Sequence, residues 1–381
     1  MRGKPSVGII ERDPVNKVIT IAKPMGVIAC ITPSTNPTAT PTSNAMCAFK
    51  CGNAMIIAAH PKAKNCTKMA IDLIRGELAR IGAPIDLIQM LPEPSIQATN
   101  ELLPLCDAVI ATGGPGMVKS AYSCGRPSFG VGAGNVQCII GEDFEEYDLA
   151  AKQIITCHSY ENGITCAGEQ TVILTEEKVS KFLAAMQRNG AYLLDDVDID
   201  HVRDVIFDEA ARLNRAVVGK DVPELAELFD IQEKIPDTAR VIVMKNNARG
   251  MQDMLCKEIG ASIVRYTVCT DSADAISIAK ANLLREGQGH TAIVYSDNSE
   301  YIEQVGLNLP VSRVLVKQPG SAAGGCNNTN GLCPTMSLGC GTWGNNSIPE
   351  NLNYMHLMNK TRIAYIIEDA VLPSDEELWA E

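Results

Sequence analysis

A cysteine in a glycine-bearing turn ahead of a strand is the place in this sequence best suited to covalent chemistry. Cys166 sits in Ser159-Tyr160-Glu161-Asn162-Gly163-Ile164-Thr165-Cys166-Ala167-Gly168-Glu169-Gln170, and the apolar run Thr171-Val172-Ile173-Leu174 follows. Small neighbours let a carbonyl carbon reach the sulfur, and backbone N–H groups at such a turn can face a developing oxyanion. The thiol alone carries little weight, because a free cysteine is commonly a small buried hydrophobe. Glu169, just downstream, could be a base, an ion-pair partner or a helix-end residue.

Other segments could bind or orient a ligand. Thr32-Pro33-Ser34-Thr35-Asn36-Pro37 ends a strand, where ligands gather in open α/β sheets. Asn36 could reach a reacting centre or cap the next helix. His60-Pro61-Lys62-Ala63-Lys64 ends a second strand; without an acid it would tolerate a ribose 2′-phosphate, and a solvated basic turn is the alternative. Two glycine-rich turns follow strands, Gly113-Gly114-Pro115-Gly116 and Gly130-Val131-Gly132-Ala133-Gly134-Asn135. Each either admits a phosphate or flat ring close to the backbone or is a tight structural turn. Neither has the spacing of a standard dinucleotide fingerprint. His290 could contact substrate or be a satisfied loop histidine.

These residues need elements to hold them. Val7–Ile10 and Val18–Ile21 read as a hairpin. From Gly26 short apolar strands alternate with longer helices: strands at Val27–Ile31, Asn53–Ala58, Asp86–Met90 and Ala108–Ala111, helices over Thr38–Lys50 and Ala63–Ile81. After Cys166 the alternation resumes, with helices near 176–188 and 273–284 and strands near 216–218 and 241–244. That pattern predicts parallel sheets covered on both faces. The expected organisation is an arm over 1–25, a cofactor domain over 26–162, a catalytic domain over 163–345 and a tail over 346–381. The tail strand at 360–367 is expected to complete a sheet in a neighbouring subunit.

With 381 residues, 46% hydrophobic and 20% charged, the chain can bury a sizeable core in two or three domains. A net charge of −12 argues against non-specific nucleic-acid binding. No apolar run approaches membrane-helix length, and Met1–Pro5 run into the charged Glu11-Arg12-Asp13-Pro14 without an apolar core of signal-peptide length. Fourteen cysteines without a CxxC pair, Cys326, Cys333 and Cys340 among them, indicate reduced cytoplasmic thiols and no metal site.

In order and spacing, several segments resemble the CoA-acylating aldehyde dehydrogenases, a group that includes the aldehyde half of aldehyde–alcohol dehydrogenases and the ethanolamine- and propanediol-utilisation enzymes. They are Ile28-Ala29-Cys30-Ile31-Thr32-Pro33-Ser34-Thr35-Asn36-Pro37-Thr38, His60-Pro61-Lys62-Ala63-Lys64, Ala111-Thr112-Gly113-Gly114-Pro115-Gly116-Met117-Val118, Gly130–Asn135, Asn162–Gln170, Gly289-His290-Thr291 and Leu338-Gly339-Cys340-Gly341-Thr342-Trp343. The likeness implies an aldehyde-dehydrogenase-like fold, two doubly wound α/β domains with an oligomerisation arm. It makes Cys166 the nucleophile and Asn36, with the cysteine's own N–H, the oxyanion hole. Thr35, His60, Lys62, Gly113, Gly114, Gly116, Gly132 and Gly134 are the candidate contacts to NAD or NADP. It further implies a thiohemiacetal, then a thioacyl enzyme cleaved by CoA, in a homodimer or homotetramer.

Hydrolytic relatives carry a glutamate where Gly130-Val131-Gly132 has none, which favours a thiol acceptor over water. Positive potential is expected at the thiol, which at its ordinary pKa of about 8.5 is mostly protonated. The family's glutamate–lysine pair stands here as Lys257-Glu258, so no cofactor role passes to Glu258. The family's helical segment ahead of the arm has no counterpart in these residues. Pro319–Gly325 and Asn330-Gly331-Leu332 look closer to the sulfoacetaldehyde-type acylating enzymes than to the aldehyde–alcohol fusions, and for that subgroup Arg126 and Arg313 are candidate anion contacts. A hydrolytic dehydrogenase, an acyl-phosphate reductase or a non-catalytic assembly protein are the alternatives.

Overall fold

The computed structural model describes residues 1–210, 212–325 and 329–380; Cys326 lies outside the described residues. Gly8–Asp13 (β1) and Val18–Pro24 (β2) form an antiparallel hairpin. Val27–Ile31 (β3), Ala54–Ala58 (β4), Ile88–Met90 (β5), Ala108–Thr112 (β6) and Ser128–Val131 (β7) form a parallel sheet in the order β5-β4-β3-β6-β7. Val136–Ile140 (β8), Glu169–Thr175 (β9), Ala191–Leu193 (β10), Val241–Lys245 (β11), Ile263–Cys269 (β12), Gly289–Tyr295 (β13) and Val311–Val316 (β14) form a second parallel sheet, ordered β10-β11-β12-β9-β8-β13-β14. Helices connect the strands, as parallel pairing requires. Every residue of β8, β9 and β13 is buried.

The sheets divide earlier than the expected start of the catalytic domain at 163. β8 and the helix Tyr147–Ser159 belong to the seven-stranded sheet, because Val136, Cys138, Ala150 and Ile154 pack with Val172, Leu174 and Phe182. Strand–helix alternation alone does not say which sheet a unit joins. The segment 216–218 is not a strand; Val217 instead plugs a loop into the core formed with Phe207, Leu225 and Ile242.

The expected tail is in part core: Ile348, Leu352 and Leu357 pack against Ile28, Cys30 and Ile57 of the first sheet. The last strand, Met358–Ala364 (β15), pairs antiparallel with this chain's own β2 rather than requiring a neighbour. Among the described residues no helix is long and apolar enough to cross a membrane.

Asn53 ties these parts together. Fully buried, it accepts from the backbone N–H groups of Met25 (2.7 Å) and Gly26 (3.0 Å) and donates to the carbonyl of Leu357 (2.8 Å). Asn53→Ala removes the partner of the half-buried N–H groups of Met25 and Gly26 and of the buried Leu357 carbonyl, and we expect a loss of about 2 kcal/mol, read as a lowered urea midpoint. Asn16→Ala, on the exposed hairpin turn, should move it by less than about 0.5 kcal/mol.

Candidate active site

In the five-stranded sheet the chain winds outward from β3 to β5 and then returns to β6 and β7, so the strand order reverses between β3 and β6. The loops leaving their carboxyl ends are Thr32–Thr38 and Gly113–Gly114, which bounds the crevice where such folds bind ligands. β7 ends at Val131 and runs through Gly132–Asn135 directly into β8. The carboxyl ends of the first sheet therefore face the amino ends of the second. Cys166 stands at that junction, just ahead of β9.

The Cys166 turn closes through Gly168 N–H to the Thr165 carbonyl at 2.9 Å. Upstream, Glu161 (φ 48°) and Asn162 (φ 51°) hold left-handed backbone, a strain of about 1 kcal/mol or more each. It is held in place because Asn162 Nδ2 donates to the Gly219 carbonyl at 3.0 Å and Gly163 packs flat against the Ala261 carbonyl, where a Cβ would collide. Beneath, the buried His158 spans the carbonyls of Ala261 and Glu169. Burial pushes that imidazole down to about 4, so it supports the turn as a neutral ring.

On the opposite side Gly134 lies against the backbone of Cys166 itself. A Cβ there would overlap the Cys166 carbonyl and come 2.6 Å from Glu258 Oε1. Beside Gly132 the space belongs to Cys340 Sγ, 3.3 Å from where a Cβ would sit. These two glycines therefore admit other parts of the protein at close range.

Cys166 is half-buried. Burial pushes its thiol up to about 12, with Glu258 and Cys340 adding to the rise and Arg313 opposing it. The expected positive potential is present but outweighed. Arg313 is buried and donates to the carbonyls of His290 (2.8 Å) and Gly339 and to Thr291 Oγ1 (3.4 Å); no carboxylate ranks among the groups that raise its pKa, which are the Cys340 and Cys166 thiols. Arg126 instead donates to the Pro104 carbonyl from an exposed position.

His290 is a core residue on β13, not a loop residue. Its Nδ1 lies 3.0 Å from Thr291 Oγ1, its Nε2 has no partner, and burial beside Arg313 holds it down to about 3. Glu169 is sealed in the core. One carboxyl oxygen accepts from Gly320 N–H at 3.0 Å, the other has no partner, and burial pushes it up to about 7.

The amide of Asn36 makes no hydrogen bond, and the N-cap of the helix Ala39–Lys50 is Thr38, so Asn36 does not serve as the cap. His60 Nδ1 accepts from Lys62 N–H at 3.2 Å, capping the turn Pro61–Ala63, while Lys62 is exposed. Gly114 is the N-cap of the helix Pro115–Ser123, and the positions beside Gly114 and Gly116 are open. A cavity of about 580 Å³ runs between this helix (Lys119, Tyr122) and the loops of Gln288 and Trp343, with Gly132 and Ala133 at its wall.

Sequence reasoning missed Glu258, Arg313 and Cys340 as neighbours of Cys166. The out-of-register Lys257-Glu258 pair and the Gly339-Cys340-Gly341 motif are the signals that could have marked two of them.

Residues 4–327 match the model of the aldehyde dehydrogenase family. The chain is 44% identical to a succinate-semialdehyde dehydrogenase (acetylating) of Clostridium kluyveri, over 100% of this chain and 83% of that protein. It is 36% identical to a sulfoacetaldehyde dehydrogenase of an Acholeplasma species, over 99% and 78%. An acetylating aldehyde dehydrogenase from Geobacillus thermoglucosidasius superposes with a TM-score of 0.92 at 34% identity, covering 97% of this chain and 81% of that one. On matches of this extent, joined to two parallel sheets that meet at a cysteine turn, the chain belongs to the aldehyde dehydrogenase family.

Proposed function

We propose that this protein converts a small aldehyde and CoA to an acyl-CoA thioester, reversibly, with NAD or NADP as hydride carrier. The observation that carries the reading is the Cys166 turn packed against Gly134 while Val131, and no acid, fills the 130–134 turn. Glu169 does not replace the missing base, since its carboxyl is sealed in the core on Gly320.

The residues present fit a dinucleotide. The open positions beside Gly114 and Gly116 leave the N-terminus of the helix Pro115–Ser123 approachable by a pyrophosphate. Thr35 and Asn36 flank the same crevice, and exposed Lys62 would tolerate a 2′-phosphate. When bound, the nicotinamide supplies the hydride acceptor.

The chain's own groups do the rest. Cys166 Sγ attacks the aldehyde carbon, and the oxyanion is held by the unpartnered Asn36 amide and the Cys166 N–H. Its collapse leaves a thioester on Sγ, which the CoA thiolate then attacks with Cys166 as leaving group.

The likeness to succinate-semialdehyde and sulfoacetaldehyde dehydrogenases supports an aldehyde with an anionic end, and Lys119 is the cation of the cavity lining. The arm supports a homo-oligomer. Val7 (57% exposed), Ile9 (49%), Tyr365 (59%) and Ile366 (79%) leave an apolar face that the chain does not cover.

Aldehyde and dinucleotide without CoA should give at most one turnover per site, and CoA should give sustained thioester formation. Water, with a pKa near 15.7, needs a base that CoA, partly ionised near neutral pH, does not. Steady free-acid production at a comparable rate would point to a hydrolytic enzyme, phosphate-dependent turnover to an acyl-phosphate reductase, and no dinucleotide binding at all to an assembly protein. Cys166→Ser should lose acylation while keeping its far-UV spectrum and melting point.

For Asn36→Ala we expect turnover to fall on the order of a hundredfold, with dinucleotide affinity and melting temperature little changed. A lowered melting point at an unchanged rate would return Asn36 to a purely structural role.

A further inference from the structure

The proposed reaction needs a group to take the proton from the Cys166 thiol, and the turn 130–135 carries no acid. The fold brings one from the loop ahead of β12. Glu258 faces the backbone N–H of Gly134, and its Oε1 and the Cys166 carbonyl oxygen both lie within 2.6 Å of the point a Gly134 Cβ would occupy. The carboxyl and the Cys166 backbone thus border the same gap, the one that a Gly134 side chain would fill. The Glu258 backbone N–H donates to Glu286 Oε2 at 2.8 Å, fixing where the side chain departs.

We infer that Glu258 is the proton acceptor for the Cys166 thiol and keeps that proton for as long as the acyl group is on the sulfur. The assignment rests on the acylating reading above.

The ionisable groups around Glu258 are Glu286 after the helix Ser272–Arg285, Arg265 on β12, Cys166 itself and Lys257, whose Nζ lies 4.0 Å from Glu286 Oε1. Burial and the charge of Glu286 push the Glu258 carboxyl up to about 8, while Arg265 pulls it down. The ionised carboxylate in turn raises the thiol. Two like charges so placed disfavour each other, so the pocket favours one negative charge, on the carboxylate or on Sγ. Moving the proton from Sγ to Glu258 keeps the pocket at one negative charge and places that charge on the thiolate, within the field of Arg313.

The proton count closes. The S–H bond breaks, Glu258 becomes neutral, and Sγ adds to the carbonyl carbon to give an oxyanion. Reforming the C=O bond expels hydride, oxidising the aldehyde carbon by two electrons, and a bound dinucleotide would supply the hydride acceptor. During the thioacyl stage Glu258 is protonated and has no capacity to activate water, which adds to the preference for CoA. CoA arrives as a thiolate, the Cys166 thiolate leaves, and Glu258 returns the proton to it. The sum is aldehyde, oxidised dinucleotide and CoA thiolate going to acyl-CoA and reduced dinucleotide.

The test follows iodoacetamide alkylation of Cys166 by peptide-resolved mass spectrometry between about pH 6 and 10, beside thioester formation in the same preparations. The wild-type rate should rise through an inflection near 8. Glu258→Gln should alkylate on the order of tenfold more slowly at the plateau and lose that inflection. Its kcat should fall on the order of a hundredfold at nearly unchanged aldehyde KM, with Glu258→Asp recovering part of both.

Faster or unchanged alkylation in Glu258→Gln would overturn the assignment, because an ionised carboxylate that only repels the thiolate predicts a gain on removal. A variant whose one defect is a raised KM for the dinucleotide would also overturn it. Should neither variant fold, a wild-type alkylation curve without an inflection near 8 would do the same. Wild-type protein that forms no thioester, yet whose Cys166 alkylation still depends on Glu258, would remove the acylating reading and leave the proton assignment standing.

Discussion

The active site depends on backbone meeting backbone where a side chain would not fit. Gly134 lies against the Cys166 carbonyl, Gly320 against that of Ala167 and Gly163 against that of Ala261, and a Cβ at any of the three would collide. The Cys166 turn is therefore gripped by three separate parts of the chain: the β7–β8 link, the segment after β14, and the loop ahead of β12. None of these grips is a strong attraction by itself. Together they remove alternative positions for the turn, and that lets left-handed backbone persist at Glu161 and Asn162. Preorganisation of this kind matters for an oxyanion site, whose donors must already point at the charge when it forms.

The same close packing sets the electrostatics. Excluding water around Cys166 raises the thiol more than Arg313 lowers it, so at rest the Cys166 thiol is protonated. Arg313 is committed to the carbonyls of His290 and Gly339 and so stays fixed as the thiolate appears. A fixed cation facing a protonated thiol favours the charged form only once the proton has somewhere to go. Reactivity then depends on the proton acceptor as much as on the sulfur.

Much of this was legible from the residue pattern, because helices and buried strands follow periodicity and end at glycine and proline. Glu176–Arg188 and Ser272–Arg285 are helices where apolar spacing places them. What pattern does not carry is which sheet a strand joins. Val136–Ile140 looks like any other buried strand, and only its packing on Val172 and Phe182 assigns it to the second sheet. Nor does an apolar pair such as Val217-Val218 declare itself a loop, since a buried plug and a short strand need the same residues. Arg313 could be named from sequence as a cation of interest, but its partners are carbonyls contributed by other segments.

The two carboxyls near Cys166, one in sequence and one in space, illustrate the limit best. Glu169 is close to Cys166 in sequence, and distance along the chain favours it as the base. As the first residue of β9, however, it turns into the core among Cys138, Cys157 and Tyr295, where its carboxyl ties down Gly320 and meets no solvent. Side chains alternate across a strand, so whether a carboxyl faces the core or the crevice depends on where the strand begins. Glu258 is remote in sequence, yet its loop passes directly over Gly134 and so beside Cys166. A substitution of Gly134 would displace both the Cys166 backbone and this carboxyl. The requirement for glycine in the 130–135 turn is thus satisfied by protein chemistry at the junction, before any ligand is considered.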